Sequence, residues 1–359
     1  MASPLDPGLL QMVLRATVPI AQSAEGFGNQ DWFDAWFEAF APVAHRHTLI
    51  LPVTGFKPEL IPGTSRVLRL PISSLRAPVN DHTPRYGWTF DPDGLPQLSD
   101  LHRALSEALR MSHARILQLG FLPERGSTLS LTKALGATGK WILAVDQAEC
   151  SSLINTSGDW DAYLESRPVK MMKNLLKREK KLRQIGEVEF LDIARFPEWT
   201  DWLENALTLE ASGWKGRQGS AILQRENEAR FYRRITRSWA AQGSLRLFLL
   251  LLDGRLIASR LMAQQGATLY AIKIAYDEAF ASFSPGLILL RMTLKACFDE
   301  SSVLVVDLCG SGQWKHQWAT HSERLMTVRM APAGTIGAHL LRTEIALKRL
   351  RGCLSSRSA

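Results

Sequence analysis

Cysteine is scarce and dispersed in this chain. Cys150, Cys297, Cys309 and Cys353 are the only four, far apart and without a C-x-x-C pair. Such spacing excludes a disulfide framework and a zinc ribbon, and leaves reduced core or surface thiols. The eight histidines are scattered as well, so no metal-ligand spacing stands out. No apolar stretch is long and clean enough to cross a bilayer; the densest, LRLFLLLL at 245–252, stops at Asp253-Gly254. The opening MASPLDPGLL has neither the basic nor the apolar region of a secretory leader, so a cytoplasmic location is expected, with peripheral contact at the inner membrane as a second expectation.

Acidic residues are in deficit: 43 Lys and Arg stand against 35 Asp and Glu, a formal net charge of +8. That balance favours an anionic partner, whether nucleic acid, a phosphate-bearing cofactor or an acidic membrane surface. Hydrophobic residues at 46% against 22% charged are a globular balance, and 359 residues exceed what one core usually organises, so two subdomains are expected.

From residue 187 turns and periodicity change together. EVEFLDIA (187–194) is a strand, followed by amphipathic helices over about 198–212 and 226–241. Three strands follow, LRLFLLLL (245–252), RLIASRLMA (255–263) and ATLYAIKIAYD (267–277), joined by Asp253-Gly254 and a tight turn at Gln265-Gly266. A helix starts at Ser284-Pro285-Gly286, with Ser as N-cap and Pro at the first helical position. Strand 303–308, a short helix near 313–319 and strand 324–330 complete this half.

The first half looks like a weaker copy of that order. NQDWFDAWFEAF (29–40) is a helix, HTLILPV (47–53) and RVLRLPI (66–72) are strands, 98–111 is helical, and RILQLGF (115–121), a helix at 126–136 and KWILAV (140–145) follow. The Pro- and Gly-rich segment 77–97 is the least regular. The divisions expected are 1–160, 161–332, and a C-terminal amphipathic helix and tail at 333–359.

Between the halves, RPVKMMKNLLKREKKLRQIG (167–186) sets Met171, Met172, Leu175, Leu176 and Leu182 on an apolar stripe. Lys170, Lys173, Lys177, Arg178, Lys180, Lys181 and Arg183 form a cationic face. It is either a solvated face or an anion-contacting surface. The tail GTIGAHLLRTEIALKRLRG (334–352) has a similar composition and is either packed on the core or attached to a membrane surface.

VLVVDLCGSGQWKHQWA (303–319) imitates the glycine-rich turn by which methyltransferases hold S-adenosylmethionine. Its position argues against that: such a turn follows a first strand, with alternating strands and helices after it, and only some fifty residues remain here.

An order of strand, two helices, three antiparallel strands, helix, strand, helix, strand resembles the GNAT acyltransferase fold. The motifs narrow the resemblance to the FemAB-like, CelD-like (BioF2-like) branch: Trp214-Lys215-Gly216, Lys273-x-x-Tyr276-Asp277, Ser284-Pro285-Gly286, and Lys315 and Trp318 after the Gly310-Ser311-Gly312 turn. The resemblance covers about 160–330 well and 1–150 only by element order. It implies an α/β (α+β) protein of two GNAT-like mixed-sheet halves, the N-terminal one degenerate. It also implies an N-acyltransferase with acetyl-CoA or another acyl-CoA as co-substrate, no metal, and an amine-bearing envelope saccharide or lipid precursor as acceptor. A FemAB-type transferase using aminoacyl-tRNA, a lipid-amide-forming acyltransferase, and a basic nucleic-acid- or membrane-binding module are the alternatives. The departure from the glycine-rich phosphate loop of ordinary GNAT enzymes bears on the choice of donor.

Acyl transfer to an amine needs a seat for the donor's anionic groups, a polariser for the carbonyl and a base for the amine. Lys273 interrupts a small-residue run with alanines on either side. With the turn at 265–266, Ala258 lies opposite Lys273 and Arg260 opposite Ala271, so that both cations line one cleft. Asp277 is the base candidate, Tyr276 a proton donor and Glu210 a second base. The free N–H groups and dipole of the helix at Ser284, Pro285 and Gly286 suit a diphosphate, which is where the GNAT resemblance puts that of coenzyme A. Trp214 and Lys215, on a glycine-containing loop, together with Asp307, Lys315 and Trp318, are candidates for the acceptor side; a loop anchor, a turn cap and a core tryptophan are the bland alternatives.

Overall fold

A computed structural model describes residues 29–41, 47–48, 59–88, 96–193 and 196–355. In chain order, the first elements are α1 (Gln30–Phe40), β1 (His47–Thr48), β2 (Glu59–Val67), β3 (Leu70–Arg76), α2 (Leu98–Met111), β4 (Ile116–Pro123), α3 (Ser127–Ala137) and β5 (Trp141–Asn155). Then come α4 (Trp160–Glu165), α5 (Val169–Ile185), β6 (Val188–Asp192), α6 (Trp199–Ser212), α7 (Trp214–Arg217), α8 (Glu226–Ala241), β7 (Leu245–Leu252), β8 (Arg255–Gln265) and β9 (Thr268–Tyr276). The last are α9 (Pro285–Asp299), β10 (Val305–Asp307), α10 (Gln313–Trp318), β11 (His321–Pro332) and α11 (Ile336–Ser355). The described residues fall into two compact units, one from those within 29–37, 41–149 and 324–355, the other from those within 38–40 and 150–323. This is the mixed α/β architecture the sequence predicts.

In the first unit the strands run β1-β2-β3-β4-β11-β5, with β3 and β4 parallel and the pairs β2/β3 and β4/β11 antiparallel. RVLRLPI is not one strand. Leu68 and Arg69 form the two-residue turn between β2 and β3, both in left-handed backbone at φ 53° and 67°. Such a turn usually carries Asn or Gly, so nothing in the residues announces it. HTLILPV lies outside the described residues beyond Thr48. The tail packs rather than floats: α11 sets Ala338 and Leu341 among Val67, Ile116, Ala144 and Ala331. Among the described residues no helix is long and apolar enough to cross a membrane.

In the second unit the order is β5-β10-β9-β8-β7-β6, with β10 parallel to β9 and its other pairs antiparallel. α5 and α9 share one face, where Met172, Leu175 and Leu182 meet Ile288, Leu289 and Leu294 over Phe248, Leu250 and Met262. The apolar stripe of α5 differs from the one the sequence predicts. Leu176 is 45% exposed, and Glu179 takes a place on the buried face between Leu175 and Leu182. Arg291 at 2.6 Å and Arg183 at 3.2 Å satisfy that carboxylate.

β7 is buried along its whole length, including Arg246. Its guanidinium donates to Asp192 at 2.8 Å and Glu300 at 2.9 Å. Burial works against its charge, but the two carboxylates outweigh that and the net pKa is raised. Replacing Arg246 by Met strands both acids. Because each acid keeps about a quarter of its exposure, urea unfolding should show a loss of about 2–3 kcal/mol, the low end for a broken buried pair. An unchanged midpoint would contradict this.

Candidate active site

The geometry of the site follows from one irregularity between β8 and β9. The turn falls at Gly266-Ala267, with Gln265 paired to Thr268 and Met262 to Ala271. Continued without interruption, that register would set Arg260 opposite Lys273. Instead the pairing shifts, Leu261 lies opposite Lys273, and Ile272 is the extra residue of a bulge. Arg260 then pairs with Ile274, and Ala258 with Tyr276. Residues directly opposite share a face and neighbours alternate, so Arg260 and Lys273 point to opposite faces. The single cleft lined by both cations, expected from the sequence, does not form.

On the α9 face, Arg260 is 1% exposed and donates from Nη2 to the Gly286 carbonyl at 3.2 Å. Its Nε and Nη1 have no hydrogen-bond partner. With no carboxylate to hold it, burial pushes the guanidinium down to about 10. Ser284 stands at the N-cap in left-handed backbone (φ 58°) without capping through its side chain; its Oγ accepts instead from Arg178 of the basic helix α5. Pro285 occupies the first turn, and Gly286 lies against Tyr276, where an added Cβ would sit 3.7 Å from Cδ1. Pro285 has no N–H, and the Ser284 and Leu287 N–H groups are bonded to the Ala281 and Ser284 carbonyls, each at 3.0 Å, so the Gly286 N–H, the helix dipole and a buried cation without a carboxylate meet at the start of α9.

β9 pairs with β8 along its whole length, but with β10 only over Thr268–Tyr270. From Ala271 to Tyr276 the edge toward β10 has no strand partner, and its backbone groups remain available to an amide-bearing molecule. Asp277, just past this edge, is already engaged: it accepts from Arg255 at 2.5 Å and from the Ala279 N–H at 3.0 Å, capping the 3₁₀ turn Glu278–Phe283.

On the opposite face, the Lys273 ammonium lies 5.3 Å from the centre of the Tyr232 ring, which α8 supplies. Tyr232 is fully buried, and its hydroxyl is pushed far above the usual phenol range by that burial and then by Glu210, Glu228 and Cys309. Glu210, at the end of α6, accepts from Lys215 at 2.6 Å and from the Ile222 N–H at 3.0 Å. Trp214 and Lys215 belong to the short helix α7 rather than to a loop. Glu278 holds that helix through the Trp214 N–H (2.8 Å) and Arg217 (2.7 Å), and leaves the indole exposed. Gly216 is required there, since a Cβ would overlap the Ala211 carbonyl.

The glycine turn after β10 is built on Asp307, which is fully buried. It accepts from the Ser151 hydroxyl and from the Cys309 N–H at 2.7 Å, and the Ser151 Oγ accepts from the Gly310 N–H at 2.9 Å. Lys315 folds back onto the Cys309 carbonyl at 3.0 Å. Trp318 does not face a cleft. It is 1% exposed within the core of the second unit, and its carbonyl accepts from the Tyr163 hydroxyl at 2.6 Å. The short α10 has one buried position, and the second of its two tryptophans takes it.

The structure thus sorts the sequence candidates into two groups: Arg260, Tyr276, Ser284, Pro285 and Gly286 at the start of α9, and Lys273, Glu210 and Lys215 around Tyr232. Tyr232, Ser151 and Glu278 are the members that sequence reasoning missed, while Arg178 was read only as part of the cationic face of α5. The one signal for Tyr232 was a hydroxyl inside the buried stripe of α8. Among the described residues no group of side chains could hold a metal ion.

Residues 169–317 match the family model of an acetyltransferase (GNAT) domain. No curated protein matches the chain. In fold the chain is similar to FemX, at 11% identity and a TM-score of 0.57, over 88% of this chain and 95% of that one. A conserved protein of unknown function from Bacteroides thetaiotaomicron VPI-5482 is similar at 13% identity and 0.54, over 92% and 98%. So is the C-terminal domain (DUF2156) of a putative lysylphosphatidylglycerol synthetase from Agrobacterium fabrum, at 11% and 0.51, over 89% and 92%. At these identities the likeness is one of fold. The chain is an acyltransferase, and the matched segment holds both groups of candidate residues.

Arg260 gives a test in the free protein. Its folded pKa lies below the ordinary arginine value, so the unfolded state holds the proton more tightly and the cost of burial is fully present at neutral pH. Arg260→Met should raise stability by about 1–3 kcal/mol in thermal or urea unfolding. A loss of stability would mean that a structural partner had been removed.

Proposed function

We propose that this enzyme transfers an acyl group, such as acetyl, from an acyl-CoA to an amine on an envelope polysaccharide or lipid precursor, within the FemAB-like, CelD-like branch that its motifs resemble. The observation that carries this is the buried, uncompensated Arg260 beneath the start of α9. A guanidinium without a counter-ion in a low-dielectric interior raises the potential at the helix N-terminus without touching a ligand, and a doubly charged diphosphate is the group that gains most from it. The residues therefore fit an acyl-CoA: Ser284, Pro285 and Gly286 would seat its anionic end, and the open β9 edge its amide-bearing arm.

In the transfer a bond forms between the amine nitrogen and the acyl carbon, the carbon–sulfur bond breaks, and the amine loses a proton while the departing thiolate gains one. Asp277 and Glu210 both have hydrogen-bond partners already; the amine proton is assigned to Glu210 because it lies with Lys273 around Tyr232. Tyr276, at the α9 start, is assigned the proton for the thiolate. Lys273 supplies positive charge on the acceptor side, and Trp214, Lys215, Asp307 and Lys315 shape that side. Trp318 supports it from the core.

A second reading, aminoacyl transfer from tRNA, is favoured by α5, where Lys170, Lys173, Lys177, Lys180 and Lys181 are all exposed. Native mass spectrometry with acetyl-CoA, longer acyl-CoA species and charged tRNA separates the two, and thiol release in the presence of amino sugars or lipid amines reports turnover. The expected outcome is an acyl-CoA complex and amine-dependent thiol release. Binding of charged tRNA alone would overturn it. Glu210→Gln should lower kcat roughly 10²–10⁴-fold with donor binding intact, and full turnover would remove Glu210 from its role.

A further inference from the structure

The first unit carries an open groove of about 500 Å³ between α3, β5 and α11. Its apolar floor is formed by Trp141, Leu143, Val145 and Ile345. Lys133, Arg342 and Arg349 stand around that floor, and all three are exposed. No acidic side chain lines the groove. The nearest acids on the same elements are already neutralised. Asp146 is held by Arg329 and Lys348, each at 2.7 Å, and Glu344 by Arg329 at 2.8 Å and Lys348 at 3.2 Å. Lys133 contributes to the field on Glu124, which Arg324 holds. Two acids matched by two cations leave the charge of Arg342 and Arg349 uncompensated at the rim.

We propose that this groove docks the protein on an anionic bilayer, with a phospholipid phosphate among Lys133, Arg342 and Arg349 and the first part of its acyl chain on the apolar floor. The charge pattern selects the occupant. An acidic peptide would leave the floor uncovered, and free phosphate would not use it, whereas an anionic lipid meets both parts. Exposed Leu350, next to Arg349 on α11, adds apolar surface that a bilayer interface accommodates. The groove belongs to the first unit, so it stands independently of the acyl-transfer site.

Vesicle co-sedimentation tests it with the full chain. Vesicles of phosphatidylcholine with phosphatidylglycerol should bind the protein, binding should weaken as salt rises, and vesicles of phosphatidylcholine alone should bind far less. Each basic residue near an anionic surface is worth roughly fivefold in partitioning, so Lys133→Gln, Arg342→Gln and Arg349→Gln together should weaken binding on the order of a hundredfold. These side chains are exposed, so the melting curve should not move. Neutralising Lys173, Lys177 and Lys181 on α5 is the control and should change binding little. Undiminished binding by the groove variant, loss of binding by the α5 variant instead, or displacement by inorganic phosphate at constant ionic strength would each overturn the proposal.

Discussion

One extra residue in β9 governs what each face of the second unit presents. Side chains alternate along a strand, so inserting Ile272 between the pairs Met262–Ala271 and Leu261–Lys273 exchanges the faces of everything beyond it. Arg260 is thereby turned under α9 and Lys273 toward Tyr232. The same strand outruns β10, which ends at Asp307 opposite Tyr270. The candidate site is therefore two-sided, with the start of α9 over Arg260 on one face, Lys273 and Tyr232 on the other, and an unpaired strand edge between them.

Buried charges in this unit fall into two kinds. Arg246 and Glu179 are each held by two oppositely charged partners, and serve to tie β6 to β7 and α5 to α9. Arg260 lacks any such partner. Desolvating a cation without compensation costs several kcal/mol, and the fold bears that cost directly below a helix N-terminus. An anionic ligand seated there would relieve that cost, and on this ground Arg260 is proposed as a binding residue rather than a structural one.

Much of the architecture was legible because periodicity and turns agree: α2, α8 and β7 begin and end at the residues the sequence predicts, and α1 and β4 within one or two. The failures have physical causes. The Leu68-Arg69 turn uses residues that rarely adopt left-handed backbone, so no local preference marks it. A bulge leaves no trace in residue type, which is why Arg260 and Lys273 were expected on one face. Trp318 follows a glycine turn and a lysine that suggest a site, yet burial of the indole decides its place. Glu179 reads as part of a charged run until its two arginine partners are seen. Motif resemblance gathered the right segment of chain, but only pairing register could divide its residues between two faces.

We propose that Arg260 is left without a carboxylate partner because an anionic donor completes it. Isothermal titration of coenzyme A into the parent protein and Arg260→Met tests this most directly, since neither chemistry nor acceptor enters the measurement. At an effective dielectric of about 20, loss of one nearby charge should weaken binding at least roughly tenfold, in a variant that remains folded. Equal affinity for the two proteins would contradict the account.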